Sequence, residues 1–132
     1  MPHFTLEYSA NLETRVDIAA AVEVVRKAAA ETGIFPLGGI RVRALRCEHY
    51  AIADGTPGPA FIAMLARIGE GRDLEARQRA GQHIFDALSR FLEPTFAAMP
   101  LALSFDILIN DKATSWKRNT IHQSLGTKPR DG

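Results

Sequence analysis

The run AFIAMLARIG, residues 60–69, is apolar at nearly every position, with Arg67 as its one charged residue. A strand wet on one face alternates apolar and polar side chains. A run without that alternation reads as a central strand, buried on both faces or set against a partner subunit. The segment that follows, EGRDLEARQRAGQHIFDALSRFLEP (70–94), changes period. Its Leu74, Ala80, Ile84, Leu88, Phe91 and Leu92 form one helical stripe, Asp73 is placed to cap its start, and Pro94 is expected to stop it. LALSFDILI (101–109) then returns to strand period, with Leu101, Leu103, Phe105, Ile107 and Ile109 alternating against Ala102, Ser104 and Asp106.

The first half of the chain repeats this pattern. In MPHFTLEYS (1–9), Pro2, Phe4, Leu6 and Tyr8 share one side, while His3, Thr5 and Glu7 share the other. ETRVDIAAAVEVVRKAAAETG (13–33) follows as a helix with Ile18, Val22, Val25 and Ala29 inward and Gly33 as its C-terminal stop. GIFPLGG turns the chain into IRVRALRCEHYAI (40–52), expected as one long strand, bent or bulged near Glu48, before ADGTPGP ends it. The order β-α-β, β-α-β predicts an α/β (α+β) chain whose four-stranded mixed sheet carries two helices on one face. Right-handed crossovers make the two strands within each unit parallel neighbours. The units span 1–57 and 58–110, followed by a polar tail, 111–132, within a single domain of 132 residues. Two helices cover only one side of such a sheet, so other copies of the chain are expected to cover part of the second side.

Composition narrows the function. Hydrophobic residues make up 46% and charged residues 23%, which is ordinary globular usage. A net charge of +1 provides no global field for nucleic acid or a membrane surface, so any anion site must be local. The one cysteine, Cys47, has no internal disulfide partner, and no long apolar run or basic-then-apolar leader is present. The expected location is the cytoplasm. His3, His49, His83 and His122 lie far apart, and neither they nor Cys47 offer metal-ligand spacing, so no metal is expected. Phosphate loops and nucleophile elbows are likewise not found.

Three features could carry chemistry. Pro2 lacks an N–H and suits the start of a strand, but removal of Met1 would turn its nitrogen into a free secondary amine, a base no internal residue supplies. Arg41 shares a strand face with Arg43, as on a solvated edge strand. The glycines just before it also permit close backbone approach, which would let Arg41 enter a cleft. Arg72 falls between a buried strand and a helix start, where a guanidinium beside free helical N–H groups makes a carboxylate receptor. Surface pairing with Glu70 or Asp73 is the other reading. Trp116, in KATSWKRNTIH, suits either a pocket wall or docking of the tail on a neighbouring subunit.

MPHFTLEYS, ETGIFPLGGIR, AFIAMLARIGEGRDLEARQRAG and LALSFDI together resemble the 5-carboxymethyl-2-hydroxymuconate isomerases of the tautomerase superfamily, from Pro2 to about Asp106. ALRCEHYAIADGTPG and the closing segment depart from that pattern, apart from an echo in WKRNTIH. The resemblance implies a tautomerase-like fold, a homotrimer, and a cofactor-independent isomerase of homoprotocatechuate degradation acting on a small polycarboxylate. By position, Pro2 matches the catalytic base and Arg41 and Arg72 match active-site arginines, Arg41 binding substrate and Arg72 serving both binding and catalysis. A base that removes an enol proton and returns it to carbon must be neutral, whereas an α-amine titrates near 7.7–8.0. Burial and nearby guanidinium groups would lower that value. Two other readings stay open: a tautomerase of another enol acid, such as a 2-hydroxymuconate or phenylpyruvate, and a noncatalytic oligomer that binds a small acid.

Overall fold

The computed structural model describes residues 1–125. Its strands are β1 (His3–Ser9), β2 (Arg41–Cys47), β3 (Ala60–Ile68) and β4 (Leu101–Ile109), and its helices are α1 (Ile18–Glu31), α2 (Leu74–Phe91), α3 (Glu93–Ala98) and α4 (Ile121–Ser124). The sheet order is β2-β1-β3-β4. β1 runs parallel to β2 and β3 parallel to β4, while β1 and β3 meet antiparallel at the centre. The tandem β-α-β reading and the mixed four-stranded sheet are therefore what the chain forms.

Register explains the core. Phe4 lies opposite Val42 and Ala66, and Leu6 lies opposite Ala44 and Met64. Phe4, Leu6, Ile62, Met64 and Ile68 are buried together with Val25 of α1 and Ile84 and Leu88 of α2. Each such side chain stabilises the fold by roughly 1.5–3 kcal/mol through burial. Leu101, Leu103, Phe105 and Ile107 pack against the same cluster, so both helices lie on one face.

The opposite face carries His3, Thr5 and Glu7 of β1, Arg43 and Leu45 of β2, and Phe61, Ala63 and Leu65 of β3. In the single chain, Phe61, Ala63 and Leu65 are half-buried, so β3 is dry on one face only. Its second apolar face remains available to another chain.

Local chemistry sets the helix ends. Asp17 and Asp73 cap α1 and α2, accepting from the N–H groups of Ala20 and Ala76. Gly33 takes φ of 72° directly after α1, the left-handed stop expected of it.

The structure departs from the sequence reading at several points. The second strand ends at Cys47 instead of running to Ile52; at its end Arg46 pairs with Glu13 and with Glu48 just beyond the strand. Leu74, expected in the buried stripe, is 59% exposed in the first turn of α2, ahead of the part that meets the core. Ile109 is likewise exposed at the end of β4. α2 does end before Pro94, yet Pro94 then sits in the first turn of α3, where its missing N–H costs nothing. The tail is polar but contains a single turn at Lys112–Thr114 and α4. Its final part, residues 126–132, lies outside the described residues.

Candidate active site

GIFPLGGIR (33–41) is the hub on which the functional residues meet. Pro36 and the Leu37–Gly39 turn bring Gly39 against the amino terminus and Gly38 against His122. A Cβ on Gly39 would lie 3.4 Å from Pro2 Cδ and 3.5 Å from Met1 Cα, so glycine lets the chain's start settle on the turn. The Pro2 carbonyl then accepts from the Arg41 N–H at 3.1 Å, which joins the beginnings of β1 and β2. Pro2 itself is fully buried.

The hub also orients both arginines. Arg41 Nη1 donates to the Gly39 carbonyl at 2.9 Å, folding the side chain back over the turn. Arg72 Nε donates to the Ile34 carbonyl at 3.0 Å, and its Nη1 donates to the Gly69 carbonyl at 3.2 Å. The guanidinium lies 4.9 Å over the Phe35 ring, and Phe35 is in turn fixed edge-to-face on Phe4 at 5.9 Å. Burial lowers the pKa of Arg72, but a guanidinium stays cationic at neutral pH.

At the start of α2, Asp73 accepts from Ala76 N–H at 2.8 Å, while the neighbouring Arg72 donates to the Ile34 carbonyl.

The tail completes the arrangement. Asn119 Nδ2 donates to the Gly38 carbonyl at 2.8 Å, and its Oδ1 accepts from Ile121 N–H at 2.8 Å. His122 is buried against the same turn, so close that a Cβ on Gly38 would fall 2.7 Å from its Nδ1. This docking carries Trp116 and Lys117 to a cleft of about 310 Å³ whose lining includes Met1, His3 and Glu70. Neither Arg41 nor Arg72 lines that cleft. Trp116 is among the residues lining the cleft and is 86% exposed in the single chain.

Electrostatics single out the amine. The pKa of the Met1 amino group is lowered to about 5, first by burial, then by the Lys117 charge and its hydrogen bond, and then by Arg72 and Arg41. His3 is shifted down as well, by burial and then by Arg43, Arg41, the amino terminus and Arg67. Its Nδ1 lies 3.2 Å from Arg43 Nη1 and can only accept there, which leaves Nε2 as the protonated nitrogen of the neutral ring. Among the described residues, no group of three or more His, Cys, Asp and Glu side chains could hold a metal ion. No described helix is long and apolar enough to cross a membrane.

The structure thus gathers Pro2, Arg41 and Arg72 around one turn. Sequence reasoning missed Lys117, Asn119 and His122 as neighbours of the amino terminus. The only signal was the family echo in WKRNTIH, since a lysine in a polar tail has no periodicity to mark it.

Comparison with known proteins places this geometry. The family model for 5-carboxymethyl-2-hydroxymuconate isomerase matches residues 2–125. The chain is 37% identical over 122 residues to the 5-carboxymethyl-2-hydroxymuconate Delta-isomerase of Escherichia coli, covering 92% of this chain and 97% of that one. The crystal structure of a 5-carboxymethyl-2-hydroxymuconate isomerase from Deinococcus radiodurans R1 superposes with a TM-score of 0.86 at 38% identity, covering 94% of this chain and 93% of that one. A further 5-carboxymethyl-2-hydroxymuconate delta-isomerase structure gives 0.88 at 30% identity, covering 98% and 95%. The fold alone recurs at 15% identity in a fused 4-OT symmetric trimer, with a TM-score of 0.53 over 81% of this chain and 85% of that one. By the family model and by these identities over nearly its whole length, the chain belongs to the 5-carboxymethyl-2-hydroxymuconate isomerase family.

Proposed function

We propose that this isomerase converts 5-carboxymethyl-2-hydroxymuconate to its 2-oxo-3-ene isomer, with Pro2, freed by removal of Met1, as the proton shuttle. The observation that carries this reading is the amino terminus itself, buried on Gly39 and surrounded by Lys117, Arg72 and Arg41, with its amine held neutral at physiological pH. While Met1 is attached, the Pro2 nitrogen is a tertiary amide without basicity. Once freed, it opens beside the same turn and within reach of the same cations.

The chemistry then needs only one base. The Pro2 nitrogen accepts the 2-hydroxyl proton, the electron pair moves through the diene, and the protonated amine delivers the proton at C5, so that the enol becomes a ketone and the base is regenerated. The cations stabilise the dienolate oxygen and bind substrate carboxylates. Arg72, half-buried over the Phe35 ring, serves both charge stabilisation and binding; Arg41 serves binding. No cofactor takes part.

Three copies of the chain would close their open sheet faces together, burying Phe61, Ala63, Leu65 and Leu45 and setting each site near a subunit boundary. The proposed setting is homoprotocatechuate degradation in the cytoplasm. Ultraviolet absorbance tests the activity, because ketonisation shortens the conjugated system. Protein beginning at Pro2 is expected to turn over 5-carboxymethyl-2-hydroxymuconate with higher kcat/KM than 2-hydroxymuconate or the enol of phenylpyruvate. Preference for either of the latter would replace the substrate, and turnover of none would leave an acid-binding module.

A further inference from the structure

The segment after β4 is a strap fastened at both ends. At its base, Asn110 N–H donates to the Ile68 carbonyl at 2.8 Å, Asp111 Oδ1 accepts from Ala113 N–H at 2.9 Å, and Lys112 N–H donates to Glu70 Oε1 at 3.3 Å. At its far end, Asn119 and His122 lock onto Gly38. Between the two anchorages, Ser115–Arg118 run without helix or strand, and it is there that Lys117 meets the amino terminus. An arrangement that fixes both ends of an irregular segment fixes what the middle presents.

What it presents suits the substrate's charge. A tricarboxylate entering the cleft meets Lys117 on the cleft wall itself, whereas Arg41 and Arg72 are not among the lining residues. We propose that Lys117 is a further substrate-binding residue of this site, its ammonium hydrogen-bonding the amine nitrogen before substrate enters and a substrate carboxylate afterwards. The inference rests on the function proposed above. Loss of Met1 moves the amine by one residue, about 3.8 Å between Cα atoms, which the flexible lysine stem spans.

Other charges act on the same amine and must be counted. Arg41 comes from β2 and Arg72 from the loop before α2; His3, on β1, is itself shifted down by burial and then by its arginine neighbours. Glu70 and Lys112 line the cleft with opposite signs, and Glu70 is engaged by the Lys112 N–H. Removing Lys117 therefore takes away the largest cationic influence while leaving the two guanidinium groups.

Lys117→Met keeps the apolar stem, and Lys117→Arg keeps the charge. With enzyme beginning at Pro2, Lys117→Met is expected to lower kcat/KM at least tenfold, mainly through KM, and to move the acidic limb of its pH profile upward, while Lys117→Arg restores much of both. A purely structural role for the strap would not move that limb. A Lys117→Met enzyme within twofold of wild type, with an unmoved limb, overturns the inference. The two failures stay separate, because inactivity of the wild-type enzyme would strike the proposed reaction, whereas normal activity of the variant would strike Lys117 alone.

Discussion

Arg72 is held in place before any ligand arrives. Two carbonyls and the Phe35 ring hold its guanidinium in place, so little freedom remains to be lost when an anion arrives. Charge-assisted hydrogen bonds contribute about 1.5–3 kcal/mol. Arg72→Ala is therefore expected to lower kcat/KM by roughly ten- to hundred-fold, chiefly in kcat. Arg41→Ala is expected to act mainly on KM, since Arg41 folds back over the turn and is the weakest of the cations acting on the amine. Steady-state kinetics of the two variants read the difference, and unchanged kcat/KM in both would return the arginines to surface charge. The same cations fix a pH dependence. A lowered amine pKa makes the base available above that value and lost as pH falls through it. Because the amino terminus is pulled down to about 5 in the chain carrying Met1, the acidic limb of kcat/KM for the Pro2 form is expected well below the ordinary α-amine range of about 7.7–8.0. An acidic limb at the ordinary value would mean that neither burial nor the cations act on the base.

Among the elements, the Gly38–Gly39 turn and the strap that docks on it depend on each other. Gly38→Ala would set a Cβ 2.7 Å from His122 Nδ1 and 3.0 Å from its backbone nitrogen, so the strap must shift. Turnover is expected to fall sharply while the helical circular dichroism of α1 and α2 is retained; full activity would show that strap docking is dispensable. Leu88→Ala should do the reverse, costing about 2–5 kcal/mol of stability by opening a cavity where α2 meets the sheet, as read by urea denaturation. The sequence showed that helix clearly, because Ala80, Ile84 and Leu88 recur at helical spacing and Asp73 stands at the cap. α3 was hidden because Pro94 stops one helix and starts another equally well. α4 was hidden because four residues have no period of their own and are held by Gly38, far away in sequence. Pro2, Arg41 and Arg72 were legible as candidates since each follows a local punctuation, a chain start, a glycine pair or a strand end. Lys117 follows none, and only folding of the strap discloses it.

For the whole molecule, the sheet is finished on one face only. Phe61, Ala63 and Leu65 of β3 are half-buried and Leu45 of β2 is 48% exposed on the face opposite α1 and α2. Closing three such faces around an axis hides them, and sedimentation equilibrium at micromolar protein is expected to give a trimer. Leu65→Glu, in the middle of that face, should shift the equilibrium to monomer, and a wild-type monomer would defeat the shared boundary. Turn and strap converge on the amino terminus, so the deciding measurement compares two forms of one protein. Enzyme beginning at Pro2 and enzyme retaining Met1, each verified by intact mass, are assayed side by side on 5-carboxymethyl-2-hydroxymuconate. The expected result is turnover by the Pro2 form and a loss of at least a hundredfold in kcat/KM, about 2.7 kcal/mol, in the Met1 form. Equal turnover by both would contradict Pro2 as the base.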